Sequence, residues 1–136
     1  MRFLLSLFAC CSLPVFLWTC NSSPEKLDLS SNNLEGHWEL TRGFRNQRET
    51  HTLHGTYFLF SPDGKLTTNL PITVQEPLPY ELSGRTIRHH TSPMMTYEVL
   101  EFTDTTLIVT LSWHGIPFEL HFRRTQVDTV PKYEQK

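Results

Sequence analysis

Beyond residue 20 the chain has no cysteine. All three, Cys10, Cys11 and Cys20, lie in the first twenty of its 136 residues. The folded part therefore cannot use disulfides to supplement a thin core, as small exported domains often do. Zinc sites built on cysteine are excluded by the same count. A block of basic residues is also missing. Twelve Lys and Arg stand against fourteen Asp and Glu, a net charge of −2 that becomes −3 once Arg2 is lost with the leader described below. Nucleic-acid binding leaves a clustered cationic footprint, and that class is set aside. No segment repeats, none is low in complexity, and no helical period runs through Leu34–Thr125. What is present, 38% hydrophobic and 19% charged residues, is a globular balance in a length that suits one domain.

Catalytic patterns are absent too. Seven histidines invite a metal reading, yet no His-x-His or His-x-x-x-His spacing supplies a ligand pair. His37 and His121 occupy outward positions and would be neighbours if the first and last strands pair. His89 and His90 point to opposite faces of one strand and cannot chelate together. The histidines read as exposed polar residues. Glu39, Glu81 and Glu119 alternate with apolar neighbours, which marks a solvated outer face rather than an acid–base pair. Ser112-Trp113-His114 has no third member. No nucleophile, phosphate-binding glycine loop or metal triad emerges, so the expectation is a protein without catalytic residues, cofactor or metal.

The first twenty residues carry one positive charge, Arg2, followed by an apolar run from Phe3 to Thr19 that contains Pro14. This is the shape of a secretory signal; a spanning helix wants about 20 apolar residues with flanking anchors. Leu17-Trp18-Thr19-Cys20 resembles a bacterial lipoprotein signal, with an aliphatic residue three positions before the cysteine. The resemblance implies that residues 1–19 are removed, that Cys20 becomes the N-terminus and carries acyl chains such as palmitate, and that the protein is exported and anchored to the outer membrane. Residues 20–33, including Asn21-Ser22-Ser23 and Ser30-Ser31-Asn32-Asn33, are small and polar and are expected to form a flexible tether. An ordinary signal peptide with incidental cysteines is the alternative.

From residue 34 to 125 the pattern is one of short strands and turns. Gly36–Thr41 alternates, with Trp38 and Leu40 on one face. Phe44–His54 is charged and aperiodic and reads as a loop. Gly55–Phe60 is aromatic and branched, hence β-prone. It enters Ser61-Pro62-Asp63-Gly64, where proline presets φ and glycine accepts a positive φ, and Lys65–Asn69 returns as its partner. Further strands are expected at Ile72–Gln75, Tyr80–Ser83, Thr86–His90, Met95–Thr103, Leu107–Trp113 and Phe118–Arg124. In the last, Phe118, Leu120 and Phe122 face one way and Glu119 and His121 the other. Such spacing suggests an all-β fold, a small eight-stranded antiparallel up-and-down barrel, with residues 126–136 left as a polar tail.

Three features together resemble the lipocalin-like domains of bacterial lipoproteins. Gly36-His37-Trp38 opens the first strand like the family's Gly-x-Trp element. Arg124 lies in phase with Phe118, Leu120 and Phe122 on the last. Tyr57 through Gly64, an aromatic strand with an Asp-Gly turn, is the third likeness. The resemblance covers residues 34–125 and implies that Arg124 packs over Trp38 where the barrel closes, a contact worth about 0.5–2 kcal/mol. The domain is shorter than a typical lipocalin, lacks disulfides and shows no helix after the barrel.

An eight-stranded barrel is just wide enough to be filled by side chains or to hold one small ligand. An empty void of ~200 Å³ would cost about 5 kcal/mol, set against a total stability of about 5–15 kcal/mol. The expectation is a largely filled interior with, at most, a pocket at one open end. Trp38, Phe58, Phe60, Tyr80, Tyr97, Val109, Phe118 and Phe122 are the candidates to line it, simple core packing being the alternative for each. The expected partners are a small hydrophobic ligand, the membrane through Cys20 and an envelope protein, but not nucleic acid. The rival is a non-catalytic interaction module that meets a protein or polysaccharide through its outer face and loops. Phe44–His54 and Arg88–Met95, with Met94-Met95, would then make the contact.

Overall fold

The computed structural model describes residues 28–126. The expected leader over 1–19, the lipid-bearing Cys20, the tether up to residue 27 and the tail after residue 126 lie outside the described residues. A four-residue helix, α1 (Ser31–Leu34), leads into nine strands: β1 (Gly36–Arg45), β2 (Arg48–Thr50), β3 (Tyr57–Phe60), β4 (Lys65–Thr68), β5 (Leu78–Ser83), β6 (Thr86–His89), β7 (Met95–Phe102), β8 (Thr106–Trp113) and β9 (Ile116–Thr125). Every pairing is antiparallel between chain neighbours, apart from β1 with β3 and β1 with β9. The latter runs from His37 opposite Thr125 to Arg45 opposite Phe118 and closes the sheet on itself. The result is an eight-stranded up-and-down barrel, with β2 as one extra strand. It sits beside Gly43–Arg45, where β3 has already left β1.

Alternation explains the strands. Phe58 and Phe60 on β3, Met95, Tyr97 and Val99 on β7, Leu107, Val109 and Leu111 on β8, and Leu120 and Phe122 on β9 are all buried. Each such side chain contributes about 1.5–3 kcal/mol when withdrawn from water. A register shift between Val99 and Glu101 turns Leu100 out, 47% exposed, and lets both Val99 and Phe102 point inward. Bulges bend and twist a strand in this way, which a closing barrel requires.

Three expectations fail locally, each for a physical reason. The charged stretch Phe44–His54 is not a loop throughout: β1 continues to Arg45 and β2 follows, joined by Asn46 and Gln47 with φ of 49° and 66°. Two successive positive φ values are the signature of a tight hairpin. The segment shows no period because Arg48 and Glu49 are exposed and β2 has only one neighbour. Ile72–Gln75 is not a strand. Thr73 bonds through both its amide and its hydroxyl to the carbonyl of Leu70, which makes a turn, and Ile72 is packed against the core from that turn. The end of the expected tether is ordered as α1. The Ser30 hydroxyl accepts from the Asn33 amide as its N-cap, and Leu34 is buried.

Candidate functional site

The two ends of the barrel are built differently. At the end where α1 enters, the Trp38 indole is fully buried and donates from Nε1 to the Leu34 carbonyl at 2.9 Å. The Arg124 guanidinium lies 4.2 Å above the indole ring. Arg124 donates from Nε to the Asp104 carbonyl at 2.7 Å, and its other nitrogens donate to the carbonyls of Asn33 and Glu35. One side chain thus joins β9 to β1, α1 and the β7–β8 turn. Burial pulls its pKa below the ordinary arginine value while Asp104 opposes the shift. Gly36 makes room for this: its φ is +129°, and a Cβ there would stand 3.0 Å from Arg124 Nη1. The Gly-x-Trp spacing and the in-phase arginine are therefore parts of one clasp.

Above the clasp the interior is packed. The Phe58 and Phe122 rings stack at 4.4 Å, and Tyr97 meets Phe58 edge-on at 5.1 Å. Phe60 and Tyr80 do the same at 5.1 Å. Trp38, Phe58, Phe60, Tyr80, Tyr97, Val109 and Phe122 all belong to this single core cluster, with Phe118 packed against it half-buried.

The core also holds a histidine, contrary to the expectation that all are surface residues. His89 has no exposure. Its Nε2 faces the Leu66 carbonyl at 3.0 Å and so carries the proton, which leaves Nδ1 as an acceptor. That Nδ1 and the hydroxyls of Tyr80 and Tyr97 have no hydrogen-bond partner among the described residues. Tyr80 lies directly across from His89, and Tyr97 is one step along the same face of β7. Burial holds His89 below its ordinary pKa, the Leu66 hydrogen bond opposing the shift and His90 adding to it. The same burial pushes Tyr97 far up and Tyr80 up, Glu35 adding to the latter. The signal was available in sequence, since His89 shares its face with Ile87.

At the opposite end lies a cavity of about 60 Å³, lined by Leu53, Leu70, Pro71, Ile72, Leu111, Phe118 and Leu120. Leu111, Phe118 and Leu120 come from the β8–β9 wall, while Leu53 and Leu70–Ile72 fold over the mouth from the segments after β2 and β4. Drug-sized ligands occupy about 300–1,000 Å³, so this cavity fits one small apolar group. Of the eight side chains expected to line a pocket, Phe118 alone lines this one. Leu53 and Ile72 were missed because they belong to segments read as loop and misread as strand, while Leu111 and Leu120 lie on strands that were expected but were not singled out.

His37 and His121 do not meet when β1 pairs with β9. His37 faces Thr125, and its Nδ1 lies 2.6 Å from that residue's hydroxyl. His121 faces Arg42 and contacts the Glu119 carboxylate at 2.6 Å. Among the described residues no three His, Cys, Asp or Glu side chains are grouped to hold a metal ion. Comparison with protein-family models, curated proteins and solved structures finds no match.

Proposed function

We propose that this is a lipid-anchored, non-catalytic binding protein of the bacterial cell envelope, a lipocalin-like barrel that holds a small apolar group at its open end. The observation that carries the reading is the cavity walled by Leu53, Leu70, Pro71, Ile72, Leu111, Phe118 and Leu120, without a polar side chain among them. Dry apolar cavities bind apolar guests. The packed centre around Phe58, Tyr97 and Phe122 leaves the mouth as the place for binding, so a longer molecule would insert only its tip. The leader ending in Cys20, and the clasp of Trp38 with Arg124, support the envelope and family parts of the proposal.

The test is native mass spectrometry of Cys20→Ala protein, which the proposal expects in the soluble fraction. A small co-purifying adduct should be present and should vanish when Ile72→Trp fills the cavity. A clean apo mass, or an adduct indifferent to Ile72→Trp, contradicts binding at the mouth. A Cys20→Ala protein that stays with the membrane contradicts the anchor.

A further inference from the structure

We propose that the seam between β7 and β8 takes up an extended strand from a partner polypeptide. The two strands pair from Phe102 opposite Leu107 only as far as Glu98 opposite Thr110. Beyond that point Met95–Tyr97 pair with β6 alone and Leu111–Trp113 with β9 alone. The wall therefore opens into a groove of about 530 Å³, lined by Met94, Met95, Thr96, Thr110, Leu111 and Ser112 among others. Its lining mixes the buried Met95 and Leu111 with the exposed Thr96 and Ser112, so the groove passes between the strands and is more than a dent in the outer face.

On each side of the seam one residue, Thr96 or Ser112, turns its main-chain groups toward the gap. The Val99 amide donates to the Arg85 carbonyl on the β6 side. Backbone groups alternate along a strand, so those of Thr96 point at the seam. The Arg124 amide donates to the Thr105 carbonyl, and the same alternation turns Leu111 toward β9 and Ser112 toward the seam. The β7–β8 ladder ends at Glu98 opposite Thr110, so neither Thr96 nor Ser112 has a ladder partner across the seam. N–H and C=O groups that face each other without a ladder partner are what an added strand recognises.

The groove also sets the chemistry of the occupant. One row of its side chains would meet Met95 and Leu111 and is apolar. The other would lie beside Thr96, Ser112 and Glu98, the one charged residue of the groove, and is polar with a basic residue. Met94, 52% exposed at the top of the seam, offers a deformable apolar contact suited to varied partners.

Amide hydrogen exchange by NMR on the soluble Cys20→Ala protein tests this. The probe is a synthetic hexapeptide of alternating valine and lysine, with an alternately N-methylated copy and a valine–glutamate copy as controls. Exchange at the Thr96 and Ser112 amides should slow by about ten-fold with the valine–lysine peptide and stay unchanged with the N-methylated one. The valine–glutamate peptide should bind more weakly, and Glu98→Gln should erase that difference. Ser112→Pro, which removes one seam donor, should abolish protection at Thr96. Three results overturn the proposal: unchanged exchange with the valine–lysine peptide, protection already complete without peptide, or protection that grows with protein concentration alone, which would give the seam to a second copy. None of these bears on binding at the cavity, which is read by an adduct lost on Ile72→Trp, a residue that lines the cavity and not the groove.

Discussion

The two ends of the barrel are closed by opposite kinds of contact. At one end a cation, an indole and backbone carbonyls from α1, Glu35 and Asp104 are locked together by directional bonds. At the other, the side chains of Leu53, Leu70, Pro71 and Ile72 meet the barrel wall by apolar contact, the hydrogen bonds of Leu53 and Leu70 being turns within their own segments, and leave a cavity. Hydrogen bonds and a stacked cation fix position as well as energy; apolar contact is non-directional and tolerates repacking. The clasp therefore fixes its end of the barrel, and the mouth is the end at which the proposed guest would bind. Substitutions at each end should differ in size accordingly.

The largest effect is expected at the clasp. Trp38→Ala should lower stability by about 3–5 kcal/mol in urea unfolding; a loss below about 1 kcal/mol would mean the indole anchors nothing. Arg124→Met keeps the bulk but removes the cation and its donors, and should cost about 2–3 kcal/mol. If Arg124→Met matched wild type, the ends would not differ in the way described. The core between them should respond to acid. His89 is held neutral in the fold below its ordinary value of about 6.5, so the unfolded chain binds the proton first. Stability should fall as pH drops below about 6.5, by at most about 1.4 kcal/mol per pH unit. His89→Met should flatten that dependence, and equal slopes in the two proteins would show that the imidazole is not the cause. The smallest effect belongs to the mouth: Ile72→Ala, at a half-buried position, should cost about 1 kcal/mol. A loss as large as that of Trp38→Ala would make the mouth as rigid as the clasp.

The clasp was expected from the resemblance, whose marks in the chain are short and periodic. Gly36 and Trp38 sit two apart at a strand start, and Arg124 keeps the alternation of Phe118, Leu120 and Phe122. The hairpin at Pro62-Asp63-Gly64 was readable from its turn residues, with Gly64 at a φ of 78°. The mouth was not. Leu53 sits in a charged stretch whose strand β2 has no buried face to impose a period. Ile72 is branched and looks like a strand residue, yet Pro71 beside it cannot donate to a ladder and the segment folds over the barrel instead. The open seam was equally hidden, because strand patterning says which face a residue takes and not how far two neighbours stay paired.

The central claim, a packed centre with one receptive end, is tested most directly by methyl NMR of the Cys20→Ala protein under xenon pressure. Xenon enters dry apolar cavities. The methyls of Leu53, Leu70, Ile72, Leu111 and Leu120 should shift with pressure, while those of Ile87, Leu66 and Leu107 stay fixed. Shifts centred on Ile87 and Leu107, or none at the mouth, would contradict it.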